Sequence, residues 1–142
     1  MKAANAYEMR WDCERNGCFN EMKRVKFSVF APAFPGKINF TDVDGIVEIS
    51  GNGLLLEMKE GPFELSTGQR LLYSRMTANA PLAVLLVAGD AREMRLTHYS
   101  VIWQGETSIP WTEATTEEVV SHVGEWAAWA ARNRARTTKD HE

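Results

Sequence analysis

A short turn signal between two apolar runs constrains the fold of this chain more than any other feature. The runs are residues 44–49 (DGIVEI) and 54–59 (LLLEMK), and Ser50-Gly51-Asn52-Gly53 lies between them. A two-residue loop, either Gly51-Asn52 or Asn52-Gly53, would join two antiparallel strands. The segment therefore predicts a β-hairpin.

The geometry of this hairpin gathers charges on one face. In both registers, even-numbered residues of the first strand oppose odd-numbered residues of the second, and opposed residues share a face. Asp44, Glu57 and Lys59 are therefore expected to project from the same face. The other face is wholly apolar and is expected to be core: Val43, Val47, Ile49, Leu54, Leu56 and Met58.

The charged residues suit a metal site. Two carboxylates from adjacent strands, Asp44 and Glu57, match a hard divalent cation such as Mg²⁺, which takes oxygen ligands and retains several waters. The backbone carbonyl of Met58 is a candidate third ligand. Lys59 could orient or help deprotonate an attacking water, or neutralise charge that builds on a phosphate. Together these groups are sufficient for phosphodiester hydrolysis.

The same residues resemble the PD-(D/E)xK nuclease superfamily. Asp44 is followed, after twelve intervening residues, by Glu57-Met58-Lys59. Residues 69–73 (QRLLY) are similar to the Gln-x-x-x-Tyr motif of the RecB-type and lambda-exonuclease-type branches. Val43 stands where the family name has proline, at a position known to vary. The resemblance covers roughly residues 15 to 105.

The resemblance implies a fold and a set of roles. The fold is α/β (α+β), a restriction-endonuclease-like mixed central β-sheet flanked by helices. Asp44 and Glu57 would bind Mg²⁺ or Mn²⁺, and Lys59 would be catalytic. Gln69 and Tyr73 would lie on the following helix, near the site and the substrate.

The family often adds an acidic ligand from its first helix. Glu21 is the candidate here, ahead of Glu14 and Glu8, and a solvated helix charge is an equally good interpretation of Glu21. Cys13 and Cys18 are expected to be reduced packing residues, because no pair of His or Cys completes a zinc site with them.

Length and charge limit the partners. A chain of 142 residues fits one domain, predicted as 1–142 with a core at about 15–105 and a C-terminal helix at about 115–135. The net charge of −3 gives no general attraction to nucleic acid, so DNA contact would need a local basic patch. Two patches are candidates: Lys23, Arg24 and Lys26, and the tail residues Arg132, Arg134, Arg136 and Lys139.

Targeting signals are not evident in the sequence. No apolar run approaches the roughly 20 residues that span a bilayer, and the N-terminal residues lack the apolar stretch of a secretory signal. A cytoplasmic protein without a membrane partner is expected.

The remaining elements follow from periodicity and breakers. A helix is predicted at 17–30, although its end could equally begin a strand, followed by a loop at 31–36 and a short strand at 37–41. Ser66 or Thr67 is expected to cap a helix to about Asn79. Strands are predicted at 81–88 and 93–103, with a turn at 89–92 between them. A linker containing Pro110-Trp111 precedes a final helix capped by Thr115 or Thr116.

The final helix carries an apolar stripe, and Trp129 adds aromatic surface beside it. The simplest expectation is that this helix docks on the sheet. It could instead form a dimer interface or stack a tryptophan on a base. The stripe consists of Val119, Val120, Val123, Trp126, Ala127 and Ala130.

The leading functional expectation is a divalent-metal-dependent DNA nuclease. It could be a phage-type exonuclease or a structure-specific endonuclease for junctions or flaps, and the latter favours a homodimer because two symmetric cuts need two sites. The alternative is a non-catalytic nucleic-acid-binding or assembly protein that retains the nuclease fold. In a third interpretation, the hairpin charges are solvated residues of a structural protein.

Overall fold

The computed structural model describes residues 26–63 and 65–136, which fall into two compact units, one ending at Asp42 and the other beginning at Val43. The described part of the first unit contains a 3-10 helix, Phe27–Ala33. The ring of Phe40 makes edge contacts with Phe30 and Phe34, 5.3 Å between centroids in each case. The segment after the helix thus folds back onto it.

These contacts correct the predictions for residues 26–41. The 3-10 helix continues through Pro32 to Ala33, where a loop was predicted, and no strand begins at Phe27. Residues 37–41 form no strand, because Phe40 packs on the 3-10 helix instead of entering a sheet. Residues 17–25 of the predicted helix lie outside the described residues.

The second unit is a mixed α/β structure, which confirms the predicted fold class at that level. Its five strands lie in the sheet in chain order, and the β2–β3 pair is parallel while the other three pairs are antiparallel. The strands are β1 (Gly45–Ile49), β2 (Asn52–Lys59), β3 (Leu82–Asp90), β4 (Arg95–Trp103) and β5 (Glu106–Glu113); the helices are α1 (Thr67–Asn79) and α2 (Thr116–Arg132).

The predicted hairpin is present with a different turn. Ile49 pairs with Asn52, so the two-residue loop is Ser50-Gly51, and φ is +52° at Ser50 and +85° at Gly51. Positive φ at both positions is the conformation of a type I′ turn. The predicted loops were therefore wrong, but the register differs from them by an even number of residues. Every side chain within the paired strands therefore keeps the face that was predicted for it.

Asn52 explains the choice of turn. Its side chain is 6% exposed and donates hydrogen bonds to the carbonyl oxygens of Ala130, at 3.4 Å, and Asn133, at 2.7 Å. These carbonyls end α2, where backbone acceptors have no partner within the helix. Asn52 is thus part of β2 and caps a distant helix, a role that no local turn signal reveals.

The sheet has a core on each face. On one face, Tyr73 of α1 packs in a buried cluster with Leu55, Val84, Leu86 and Ile102. On the other face, Val119 of α2 belongs to the second cluster, and Val123 and Trp126 pack against it. The predicted apolar strand forms β3, and its residues 83–88 are all buried, as expected for a strand covered on both faces.

Two predictions about the sheet's edges were wrong. The predicted linker with Pro110 is β5, which pairs with β4 through the Gln104-Gly105 turn. Proline is tolerated there because β5 is an edge strand.

Val43 and Val47, which were predicted to lie in the core, are each 45% exposed. β1 is the opposite edge, so it has a strand neighbour on one side.

Both α-helices begin with a capping box. The Ser66 side chain accepts from the Gln69 N–H, and the Gln69 side chain accepts from the Ser66 N–H. Thr115 and Glu118 make the same exchange at the start of α2. The predicted caps at Ser66 and Thr115 are therefore confirmed. Within residues 26–63 and 65–136, no helix has the length and apolar character needed to cross a membrane.

Candidate active site

The alternation of β2 places the charged residues on the face that α1 covers. Leu55, Glu57 and Lys59 are two residues apart, and side chains at this spacing share a face. Leu55 is buried beside Tyr73 of α1. Glu57 and Lys59 continue the same row beyond this core, toward the carboxyl end of the strand.

Asp44 contacts β2 from the position just before the edge strand β1. The strand pairing begins at Gly45, which lies opposite Leu56, and Asp44 is the residue just before it. The Oδ2 atom of Asp44 accepts a hydrogen bond of 2.6 Å from the Met58 N–H. Met58 therefore contacts Asp44 through its N–H, and its carbonyl remains a predicted ligand.

Lys59 lies between two acceptors. Its Nζ atom donates to Gln69 Oε1 at 2.8 Å and lies 3.6 Å from Glu57 Oε1. The side chains of Lys59 and Glu57 are 15% and 13% exposed. Partial burial strengthens the attraction between these charges, and the amide oxygen of Gln69 adds a directed hydrogen bond. The ammonium group is therefore held in one place near the surface.

The side-chain oxygen of Gln69 accepts two hydrogen bonds at this site. Its Oε1 atom accepts from Lys59 Nζ and, at 3.4 Å, from the Ser66 N–H that begins α1. One side-chain oxygen thus links the site to the helix terminus. Sequence reasoning identified Ser66 as a cap but missed this link. The Ser-x-x-Gln pattern of a capping box was the available signal.

Tyr73 lies one helical turn beyond Gln69 and is 3% exposed. It packs among Leu55, Val84, Leu86 and Ile102. In this position it holds α1 against the sheet, so a direct contact with a substrate would require the ring to leave the cluster.

The other predicted site residues belong to the first unit or lie outside the described residues. Lys26 is exposed and belongs to the unit that ends at Asp42. Glu21, Lys23 and Arg24 lie outside the described residues, as do Glu8, Glu14, Cys13, Cys18 and Lys139.

The donor chemistry is compatible with a divalent cation. Glu57 of β2 and Asp44, which immediately precedes β1, supply carboxylate oxygens. Mg²⁺ is commonly held by one or two carboxylates together with water and substrate phosphate. Among the residues that the structure describes, no group of three or more His, Cys, Asp or Glu side chains forms a fuller ligand set. The pair Asp44 and Glu57 is therefore the candidate, completed by water and substrate.

Comparisons of the chain with protein-family models, with curated proteins and with solved structures found no match. Function is accordingly inferred from the geometry of residues 44–73.

Proposed function

We propose that this protein is a divalent-metal-dependent DNA nuclease of the PD-(D/E)xK type. One observation carries the proposal: Lys59 is fixed between Glu57 and Gln69, and the N–H of the intervening residue Met58 binds the Asp44 carboxylate. A nearly buried lysine held by one carboxylate and one amide oxygen is a costly arrangement for a purely structural surface.

The roles follow from the donors and acceptors. Asp44 and Glu57 would hold Mg²⁺ or Mn²⁺, with the Met58 carbonyl and Glu21 as further predicted ligands. A cation bound there would lower the pKa of its water and stabilise negative charge on a phosphate oxygen. Lys59 has three N–H donors, of which one serves Gln69 and one faces Glu57. We assign the third to the phosphate or to the attacking water.

Gln69 would act by holding the ammonium group of Lys59 in position. The Gln69 oxygen fixes Nζ at 2.8 Å, so the ammonium group does not have to be ordered when a substrate arrives. Tyr73 anchors the helix that carries Gln69 and would influence the substrate through that helix.

The proposed substrate class is DNA, and the form of DNA that is cleaved is a second, more specific part of the proposal. The Gln-x-x-x-Tyr resemblance favours processing of DNA ends by a phage-type exonuclease. A junction or flap endonuclease acting as a homodimer fits the same site. In either case we place the activity in the cytoplasm, with Lys23, Arg24 and Lys26 as proposed phosphate contacts.

Cleavage of end-labelled DNA tests this proposal. Linear, nicked, flapped and four-way substrates are incubated with wild type, Lys59→Ala and the control Lys37→Ala, with Mg²⁺ or Mn²⁺ and with EDTA. We expect metal-dependent cleavage by wild type and Lys37→Ala, and a loss of roughly 100-fold or more in Lys59→Ala. Equal cleavage by Lys59→Ala, or cleavage that persists in EDTA, would contradict it.

A non-catalytic nucleic-acid-binding or assembly protein is the second candidate. It is favoured by one observation: Asp44 is engaged by the Met58 N–H and Glu57 by Lys59, so both carboxylates have structural partners already. For this candidate we expect DNA binding that is insensitive to metal and no cleavage of any substrate in the panel. Binding without cleavage would therefore select it over the nuclease.

A further inference from the structure

A cavity of about 360 Å³ lies between α2 and the sheet. Leu54, Leu85 and Val123 are among its lining residues and belong to the core on the α2 side. Alternation along β2 puts Leu54 on the opposite face from Glu57 and Lys59. The cavity is thus separate from the candidate active site, and its volume is within the range of small-molecule sites.

Three tryptophans line this cavity. Trp103 comes from the end of β4, and Trp126 and Trp129 come from α2. The rings of Trp103 and Trp129 are 6.0 Å apart between centroids and are nearly perpendicular, at 83°. Indole faces attract cations through their quadrupole, and cages with perpendicular aromatic walls bind quaternary ammonium groups in this way.

The polar residues at the edge of the cavity supply a negative charge, which complements a bound cation. Glu125 lines the cavity, and among the other described residues that line it none is Lys or Arg. His122, also on the rim, lies 3.7 Å from Glu125 through Nδ1 and hydrogen bonds through Nε2 to the buried Tyr99 hydroxyl, at 3.0 Å. The His122 ring also stacks on Tyr99. The rim is therefore anchored to the core and carries a carboxylate.

We propose that this cavity is a binding site for an organic cation, an ammonium group carried on a small apolar or aromatic body. The tryptophans would enclose the apolar body and the cationic head, and Glu125 would balance the charge. Neither the hairpin carboxylates nor nuclease activity is required, so the site is independent of the proposed function.

An unpaired nucleobase is the competing occupant, because bases also stack on tryptophan. A nucleotide brings a phosphate, which the Glu125 carboxylate would repel. The described lining offers no lysine or arginine to neutralise that phosphate. The charge of the rim thus favours a cation over a nucleotide.

The test uses the full chain and a pair of matched probes. Phenyltrimethylammonium carries the cation, and tert-butylbenzene is its neutral isostere. Binding is followed by tryptophan fluorescence and by NMR of the indole N–H groups. We expect saturable binding of the cation, at least about fivefold tighter than that of the isostere, with shifts at the indoles of Trp103, Trp126 and Trp129.

Variants distinguish binding of the cation in this cavity from nonspecific binding elsewhere on the protein. Glu125→Gln removes the rim charge at an exposed position, and Glu117→Gln makes the same change on α2 away from the cavity. Trp129→Leu removes a cage wall, and Trp111→Leu removes a tryptophan that packs with the core on the α1 side. We expect weaker cation binding, by about threefold to tenfold, in Glu125→Gln and Trp129→Leu, and unchanged binding in the two controls.

Three results would overturn the proposal. They are absence of saturable binding at tens of millimolar cation, equal affinity for tert-butylbenzene, and tighter binding of thymidine monophosphate than of the cation. Should Trp129→Leu fail to fold, unchanged affinity in the exposed Glu125→Gln variant would by itself reject the charged site.

Discussion

The amide oxygen of Gln69 receives a 2.8 Å hydrogen bond from the ammonium nitrogen of Lys59, and this bond joins the end of β2 to the first turn of α1. The same oxygen accepts from the Ser66 N–H. The position of Lys59 therefore depends on a residue that also organises a helix terminus.

Removal of the Gln69 side chain should impair catalysis more than it impairs folding. In Gln69→Ala, Lys59 loses its directed acceptor, and we expect the cleavage rate to fall roughly 10-fold to 100-fold with little change in DNA affinity. Gln69→Glu retains an acceptor for both Lys59 and Ser66 and should recover part of the rate. Single-turnover cleavage and DNA titration measure the two effects separately.

Ser66→Ala is the matched control for this effect. It removes the cap that receives the Gln69 N–H and should lower the free energy of unfolding by about 0.5–2 kcal/mol. It leaves the Lys59–Gln69 bond in place. If Ser66→Ala lowered cleavage as much as Gln69→Ala at a temperature where both are folded, Gln69 would have no role beyond capping.

Neutralising Asp44 or Glu57 should abolish stabilisation by metal. Asp44→Asn keeps an oxygen that can accept from the Met58 N–H but removes the charge that a cation needs. Wild type should melt at a higher temperature in Mn²⁺, corresponding to about 2.7 kcal/mol when the metal is at 100 times its Kd. Asp44→Asn and Glu57→Gln should show no such shift in thermal melts.

Glu113→Gln serves as the control for that series. Glu113 is exposed on β5, so this substitution removes one negative charge at a position away from the site. Glu113→Gln should retain the full increase in melting temperature that Mn²⁺ produces in wild type. A shift of wild-type size in both Asp44→Asn and Glu57→Gln would place the cation elsewhere in the chain.

Asn52→Ala should be strongly destabilising although it changes a residue beside a turn. The carbonyls of Ala130 and Asn133 would lose their donor in a buried setting, and we expect a loss of about 1–3 kcal/mol in the free energy of unfolding. Asn79 also donates to a helix carbonyl, that of Arg75, but is exposed. Asn79→Ala should cost less than about 0.5 kcal/mol. Urea unfolding measures both, and equal costs would contradict the capping role of Asn52.

Two glycines should respond to alanine in opposite directions. Gly105 has φ +85°, and a Cβ there would lie 3.0 Å from the Ala78 Cβ, so Gly105→Ala should destabilise by about 1 kcal/mol or more. Gly124 lies within α2, and an added Cβ would meet no atom within 4 Å beyond its chain neighbours and the adjacent helix backbone. Gly124→Ala should stabilise by about 0.5–1 kcal/mol. Thermal melting of both variants checks the pair.

Sequence reasoning succeeded where a short-range rule was sufficient. The alternation of β2 predicted that Glu57 and Lys59 share a face, and this held although the turn is Ser50-Gly51, because any even shift of register preserves the faces. The capped start of α1 at Ser66 was equally local.

Predictions failed where a distant partner decides the structure. Pro110 marks a linker by composition, yet its segment becomes β5 because β4 offers a free edge. The contact of Gln69 with Lys59 and the cap that Asn52 gives to α2 both join residues from different elements. Neither contact follows from the propensity of its own segment.

The link between the hairpin turn and the end of α2 also bears on the order of events during synthesis. Ala135 donates its N–H to the Ser50 carbonyl, and Asn52 binds the carbonyls of Ala130 and Asn133. A ribosome makes the hairpin some 80 residues before these partners exist. The hairpin that carries Glu57 and directly follows Asp44 therefore acquires its full support only after Ala135 has emerged, so a nascent chain that stalls earlier should be easily degraded by proteases at the hairpin.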